Sequence, residues 1–235
     1  MRAPWRCGSA RRSDVKRTMK RANKVDFSPA SASLSRAAAT REAQIERKTR
    51  ETEVAVALKL DGAGAAQIKS GVPFLDHMLE SFARHGFFDL QVRATGDLHI
   101  DDHHTVEDVG IVLGRAFREA LGDRAGIRRF GEATIPLDDA LCRAVVDISG
   151  RSYLAFEVAI TQERVGNFQT ALLGDFMKAL ADNVGMNLHL HLLSGRNPHH
   201  IIEACFKALG RAMDQATTVE PRVVGALSTK GTLSG

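Results

Sequence analysis

One stretch of this chain is written twice. His103-His104-Thr105-Val106-Glu107 followed by Leu113-Gly114-Arg115-Ala116 is matched by His199-His200-Ile201-Ile202-Glu203 followed by Leu209-Gly210-Arg211-Ala212, with identical spacing inside each copy. A repeat of this kind implies a duplicated unit. The fold class it predicts is α+β, with two β-β-α-β-α halves, each a sheet with helices on one face.

The apolar pattern supplies the elements. Val54, Val56, Leu58 and Leu60 alternate, which predicts a strand over 52–60. The Asp61-Gly62-Ala63-Gly64 turn then leads to a second strand at 65–69, read as the other arm of a hairpin. Pro73 opens a helix carrying Phe74, Met78, Phe82 and Ala83 at helical spacing, with Gly86 expected as its left-handed stop. A strand over 87–94 precedes a longer helix, for which Asp101 and Asp102 are cap candidates and which ends at Gly122. The second half repeats the order, with strands at 131–136, 140–148 and 152–159, a helix at 171–184, a strand at 186–193 and a helix from Pro198 to about Ala216. The halves run over 41–126 and 127–220, and a terminal tail over 221–235.

With 44% hydrophobic residues in a chain of 235, a sizeable core is available. No run approaches the roughly 18 apolar residues of a membrane span, and no apolar signal core opens the chain. Cys7, Cys142 and Cys205 are odd in number and scattered, which points to a reducing, cytoplasmic setting. The net charge of +4 is unevenly placed. Residues 1–40 hold ten Lys and Arg against Asp14 and Asp26, so the body is net acidic. This Arg- and Ser-rich segment is expected to stay unordered, as a dispensable extension, a nucleic-acid-binding arm or a plastid transit leader.

All nine histidines lie between His77 and His200. In His-His-x-x-Glu on a helix, the first His and the Glu are i and i+4 and the second His and the Glu are i and i+3, so three donors can converge over one turn. Such a trio is a partial shell for Mn, Fe, Co, Ni or Zn. One copy also suits a solvated helix start with a His pair beside its caps, but capping does not require the same trio twice. A site of His and carboxylate without Cys speaks against structural zinc and suits six-coordinate Mn²⁺, with Zn²⁺ and Fe²⁺ left open.

Gly71-Val72-Pro73-Phe74-Leu75-Asp76-His77-Met78-Leu79, His85-Gly86, and Gly96-Asp97-Leu98-His99-Ile100-Asp101-Asp102-His103-His104-Thr105-Val106-Glu107-Asp108-Val109-Gly110 closely resemble the imidazoleglycerol-phosphate dehydratase family of histidine biosynthesis. Asn197-Pro198-His199-His200-Ile201-Ile202-Glu203-Ala204 and Ser228-Thr229-Lys230-Gly231 fit the same family, and the resemblance runs from about Glu46 to Leu233. It implies two Mn²⁺ ions, with metal roles for His77, His103, His104, Glu107, Asp175, His199, His200 and Glu203; at 175 the family more often has His or Glu. Substrate contacts are implied for Glu51, His85, Arg129, Arg151, Lys207, Ser228 and Lys230, and catalytic roles for Glu51, His77 and Glu203. A phosphate-contact position that is often glutamine in the family is Ser81 here and is not carried over. Sites shared between subunits, in trimers assembled into a 24-subunit shell, are implied as well.

The implied reaction removes water from an imidazole-bearing glycerol phosphate to leave a 2-oxo phosphate. The proton leaves a carbinol carbon that is not α to a carbonyl, a poor carbon acid for a carboxylate alone. A ring held as imidazolate by two ions can expel the adjacent hydroxyl through a diazafulvene-like species, after which loss of the proton gives an enol and then the ketone. Glu51 matches the family's acidic residue, while Glu53, two residues along an extended chain, points to the same side. Two other classes fit parts of the pattern. A di-metal carboxylate oxidase also pairs helical His and Glu, though in the order Glu-x-x-His on four long helices. A nucleic-acid-binding module would use the basic tail, but Trp5 and Tyr153 are the only Trp and Tyr.

Overall fold

The computed structural model describes residues 40–233. The readings of residues 1–40 as an extension, arm or leader, Thr40 apart, and of Cys7, lie outside them. The elements run β1 (Glu42–Lys48), β2 (Thr52–Lys59), β3 (Ala66–Lys69), α1 (Pro73–Gly86), β4 (Asp89–Gly96), α2 (His103–Leu121), β5 (Phe130–Leu137), β6 (Ala140–Asp147), β7 (Tyr153–Glu157), β8 (Arg164–Val165), β9 (Phe168–Gln169), α3 (Leu172–Val184), β10 (Asn187–Ser194) and α4 (Pro198–Thr217). No helix among the described residues is long and apolar enough to cross a membrane.

The duplication holds at the level of strand pairing. One sheet has the order β1-β2-β4-β3 and the other β5-β6-β10-β7. In each, the three long strands pair antiparallel and the last joins parallel, β3 on β4 and β7 on β10. Val54, Val56 and Leu58 bury one face of β2 as the alternation requires.

Strand β3 corrects the hairpin reading. The edge of β2 that a hairpin arm would use is taken by β4 along its whole length, from Thr52 opposite Gly96 to Lys59 opposite Asp89. Asp89 Oδ1 accepts from the Ala63 and Ala65 amides at 2.8 and 3.0 Å, which folds the turn over the end of β4 and delivers β3 to its far side. Strand β1, which the pattern did not announce, is a charged edge strand whose only buried residue is Ala43.

The repeated Leu-Gly-Arg-Ala letters have a packing explanation. Helix α2 lies on the first sheet and packs against α3, and α4 lies on the second sheet and packs against α1, so the helices cross between halves. A Cβ on Gly114 would sit 2.9 Å from the Leu180 carbonyl, and one on Gly210 would sit 2.7 Å from the Phe82 carbonyl. Each glycine lets two helix backbones approach more closely than any side chain allows. The following arginines act alike: Arg115 donates to Asn183 Oδ1 at 3.3 Å and Arg211 to the His85 carbonyl at 3.4 Å. Gly210→Val is therefore expected to force α1 and α4 apart and to cost about 1–3 kcal/mol or more in a denaturant titration.

Gly86 serves the same contact rather than the left-handed stop expected of it. A Cβ there would meet the Phe88 ring at 2.4 Å and the Gly210 carbonyl at 3.1 Å, and the left-handed residue is Phe87, at φ 56°. Asp102 occupies the N-cap position of α2, but its side chain makes no cap bond; Asp101 accepts from the His103 amide at 2.9 Å instead. Asn197 repeats this in the second half, accepting from the His199 amide at 3.0 Å. Both helices thus present a His pair in the first turn.

Candidate functional site

At the start of α4, His199 and Glu203 stand one turn apart with Nε2 and Oε2 separated by 3.3 Å. His77 reaches across from α1 to bring its Nε2 within 3.6 Å of the same oxygen. The donor atoms of His77, His199 and Glu203 all lie within 4.8 Å of one another, close enough for one small cation to touch all three. Phe74 packs edge-on against the His199 ring at 5.2 Å, fixing its plane from the apolar side. The other oxygen of Glu203 is held by Lys207 at 2.8 Å. Burial works against its ionisation, but the Lys207 bond and charge, with His77 and His199 nearby, outweigh it and hold the carboxyl below its ordinary range.

Helix α2 offers the counterpart. His103 Nε2 and Glu107 Oε2 are 3.9 Å apart, again one turn along the helix. Asp175, on α3, has its Oδ2 3.5 Å from His103 Nδ1. Asp175 thus meets the ring on the nitrogen that Glu107 does not face, so the three donors are neighbours without a common point. The contact is the counterpart of His77 beside His199, each supplied by the helix that crosses from the other half.

His104 and His200 do not join these trios, which corrects the expected convergence of three donors over one turn. Consecutive residues on a helix point about 100° apart, and each second histidine turns to a carboxylate outside its own helix. His104 Nδ1 lies 3.0 Å from Asp97 Oδ2 and His200 Nδ1 lies 2.7 Å from Asp139 Oδ1. An ionised carboxylate only accepts, so both nitrogens carry the proton and both Nε2 atoms keep a lone pair when the ring is neutral. The bond to Asp97 raises the His104 imidazole above its ordinary value and lowers Asp97 in turn. Asp139 is held well below the usual carboxylate range, first by His200 and then by the Asn197 and Arg196 amides. Nothing in the sequence alone assigns a role to Asp97 or Asp139. A carboxylate behind an imidazole was the signal to seek, but only the fold shows which aspartates reach.

Glu51 stands at the tip of the β1–β2 turn with Oε2 3.9 Å from His104 Nδ1. Glu53 faces the neighbouring strand and pairs with Lys48. The two carboxylates, equivalent by spacing, therefore have different surroundings.

The remaining residues fall into two groups. His85, Lys207, Glu203, His77 and Ser81 line one cavity of about 370 Å³. His85 is pushed below its ordinary value, by burial first and then by the charge of Lys207. Arg129, Arg151, Ser228 and Lys230 line another, of about 640 Å³, closed on one side by the terminal tail. Arg129 is already engaged there, bridging to Asp147 at 2.6 and 2.9 Å and donating to the Leu227 carbonyl at 2.8 Å. Within one chain Lys207 does not share a cavity with the tail cations.

Imidazoles facing carboxylates bring proton-transfer and ligand chemistry, and a preformed cationic cavity brings anion recognition; a fold that carries both is that of an enzyme for a small anionic substrate. The family model described as imidazoleglycerol-phosphate dehydratase matches residues 70–213. Imidazoleglycerol-phosphate dehydratases of Geobacter metallireducens and Pelobacter propionicus are 56% and 58% identical to this chain over 194 residues, which is 83% of the chain and all of each relative. The crystal structure of imidazoleglycerol-phosphate dehydratase from Staphylococcus aureus matches 76% of this chain and 99% of its own at a TM-score of 0.70 and 39% identity. That from Pyrococcus furiosus, in complex with (S)-C348, matches 80% and 99% at 0.70 and 41%. The chain belongs to the imidazoleglycerol-phosphate dehydratase family and is a hydro-lyase. The di-metal oxidase and nucleic-acid-module readings of the body fall with this assignment.

Proposed function

We propose that this chain dehydrates D-erythro-imidazoleglycerol phosphate to imidazole acetol phosphate, with two divalent cations, Mn²⁺ foremost, held by the two histidine–carboxylate helix starts. The observation that carries the reading is the convergence of His77, His199 and Glu203 from two helices onto a space of ionic size. The donor set fits such an ion: nitrogen and carboxylate oxygen without thiolate, with Glu203 kept ionised by Lys207. His103, Glu107 and Asp175 would serve the second helix start, and in His104 and His200 the carboxylate on Nδ1 leaves Nε2 as the donor nitrogen, which in His200 stands 3.3 Å from Asn197 Nδ2. Bound there, the cations supply Lewis acidity toward the ring nitrogens of the substrate.

The chain's own groups do the rest. Lys230, Ser228 and Arg151 hold the phosphate, with Arg129 fixing the tail that carries two of them. His85 and Lys207 line the wall beside the His77 cluster. Glu51 accepts the carbon-bound proton, being paired to no lysine or arginine among the described residues and having its Oε2 3.9 Å from His104 Nδ1. The separation of the tail cavity from the His77 cavity supports the view that a working site combines groups of two copies, in keeping with a homo-oligomer of trimers.

The product test is isotopic. In D₂O the enol formed on loss of water takes a solvent deuteron on becoming the ketone, so the keto phosphate is expected to carry deuterium on the carbon next to the ring. An unlabelled product, or no product, contradicts the reading. Lys230→Ala is expected to raise KM for the phosphorylated substrate while bound metal stays unchanged, since Lys230 lines the tail cavity and not the His77 cavity. Steady-state kinetics with metal analysis on the same sample check both parts.

A further inference from the structure

We infer that Thr52, Asp108 and Arg47 form a pin that sets the position of Glu51, making Thr52 and Asp108 positioning residues for proton transfer; this rests on the Glu51 reading above. Glu51 occupies the second position of a two-residue loop, because the Thr49 amide donates to the Thr52 carbonyl at 2.8 Å and the strands pair from Lys48 opposite Glu53. A carboxylate on a short exposed hairpin tip has no rigid support of its own. Here the support is explicit. Thr49 Oγ1 accepts from the Glu51 amide at 3.1 Å and the Thr52 amide at 2.9 Å, which shapes the loop from inside.

The loop is then tied to α2. Thr52 is 4% exposed and Asp108 7%, unusual values for an interior hydroxyl and carboxylate in a net acidic body. Thr52 Oγ1 donates to Asp108 Oδ2, and Arg47 Nη1, from the opposite strand of the hairpin, donates to the same oxygen. One carboxylate therefore grips both arms of the hairpin immediately below its tip. Asp108 lies four residues after His104, on the same face of α2 and one turn along. Gripping the hairpin at Asp108 sets which turn of α2 the tip overlies, and that turn carries His104, 3.9 Å from Glu51. The packing leaves little slack: a Cβ on Gly96, opposite Thr52 in β4, would meet Thr105 Oγ1 at 2.1 Å and Thr52 Cγ2 at 3.4 Å.

Among the described residues none of the three side chains has a hydrogen bond or ion pair to a candidate metal donor, so their effect is expected in the proton step rather than in binding. Thr52→Val keeps the shape and removes the bond to Asp108. In the assembled, Mn²⁺-loaded enzyme it is expected to lower kcat about 10- to 100-fold, as a roughly 1 Å misplacement of a reacting group does, with KM and bound metal close to wild type and a lowered melting temperature. Thr52→Ser, which restores the hydroxyl, should restore kcat. The deciding readout is the double mutant: once Glu51→Gln has removed the group being positioned, adding Thr52→Val should lower kcat by no more than about twofold further. Arg47→Gln loosens the same carboxylate from the half-exposed side and should show the same dependence on Glu51, which keeps the test open if Thr52→Val fails to fold. Unchanged kcat in both loosened variants, or an equal fractional loss with and without Glu51, overturns the pin alone. Wild-type kcat in Glu51→Gln overturns the Glu51 reading itself and the inference that rests on it.

Discussion

His104→Ala and His200→Ala are each expected to abolish turnover and to lose bound metal, although the two residues lie in different halves of the chain. Each removes an imidazole whose Nδ1 is fixed by a carboxylate and whose Nε2 is thereby left as the lone-pair donor, in His200 with Asn197 Nδ2 3.3 Å away. An imidazole used only for packing would not need such a partner, and neither ring is buried. The supports give a graded control. Asp139→Asn keeps a hydrogen-bonding group behind His200 but withdraws the negative charge, and should weaken metal retention by about 10- to 100-fold rather than abolish it. Metal content by mass spectrometry, read beside turnover on the same preparation, separates the two classes. Stoichiometric metal in both alanine variants would remove His104 and His200 from the ligand set.

Glu51→Gln is the second large effect. Glutamine keeps the size and hydrogen bonding of the side chain but cannot take the proton, so the variant is expected to bind metal and substrate normally while kcat falls by roughly two to four orders of magnitude. Glu53→Gln should be nearly silent, because Glu53 spends its charge on Lys48 at the exposed surface, where such pairs contribute little. A large kcat loss in Glu53→Gln with a near-normal Glu51→Gln would move the role to Glu53.

How much of this was readable from the letters follows the reach of each interaction. His199 and Glu203 are one helical turn apart, so their meeting was implicit in the spacing, and so was the start of α4 at Pro198. The alternation of Val54, Val56 and Leu58 likewise announced β2, because a sheet with one buried face enforces period two. Pairings between distant segments were not announced. Asp139 is 61 residues from His200, and nothing near either residue marks the partner. The letters mark β3 as a strand but point to the wrong neighbour, since edge choice depends on Asp89 folding the preceding turn. Strand β1 was missed because an edge strand of mostly charged residues shows no apolar stripe. Gly86 shows a subtler limit: a glycine at a helix end reads as a left-handed stop, and only the facing Gly210 backbone reveals that small size was the requirement. The family resemblance reached further than the periodicity, bringing His77 and Asp175 to the two matched helix starts, but it did not distinguish the Nε2 face of His103 from the Nδ1 face that Asp175 meets.

The most direct test of the proposed chemistry is a metal titration of the intact assembled protein. After removal of bound ions with a chelator, Mn²⁺ is added back while bound metal per chain and the rate of imidazoleglycerol phosphate dehydration are followed together. The two matched helix starts predict no turnover in the stripped protein and full activity on reaching two equivalents per chain. Full turnover by protein shown to be free of metal, or saturation with a single equivalent, would contradict it.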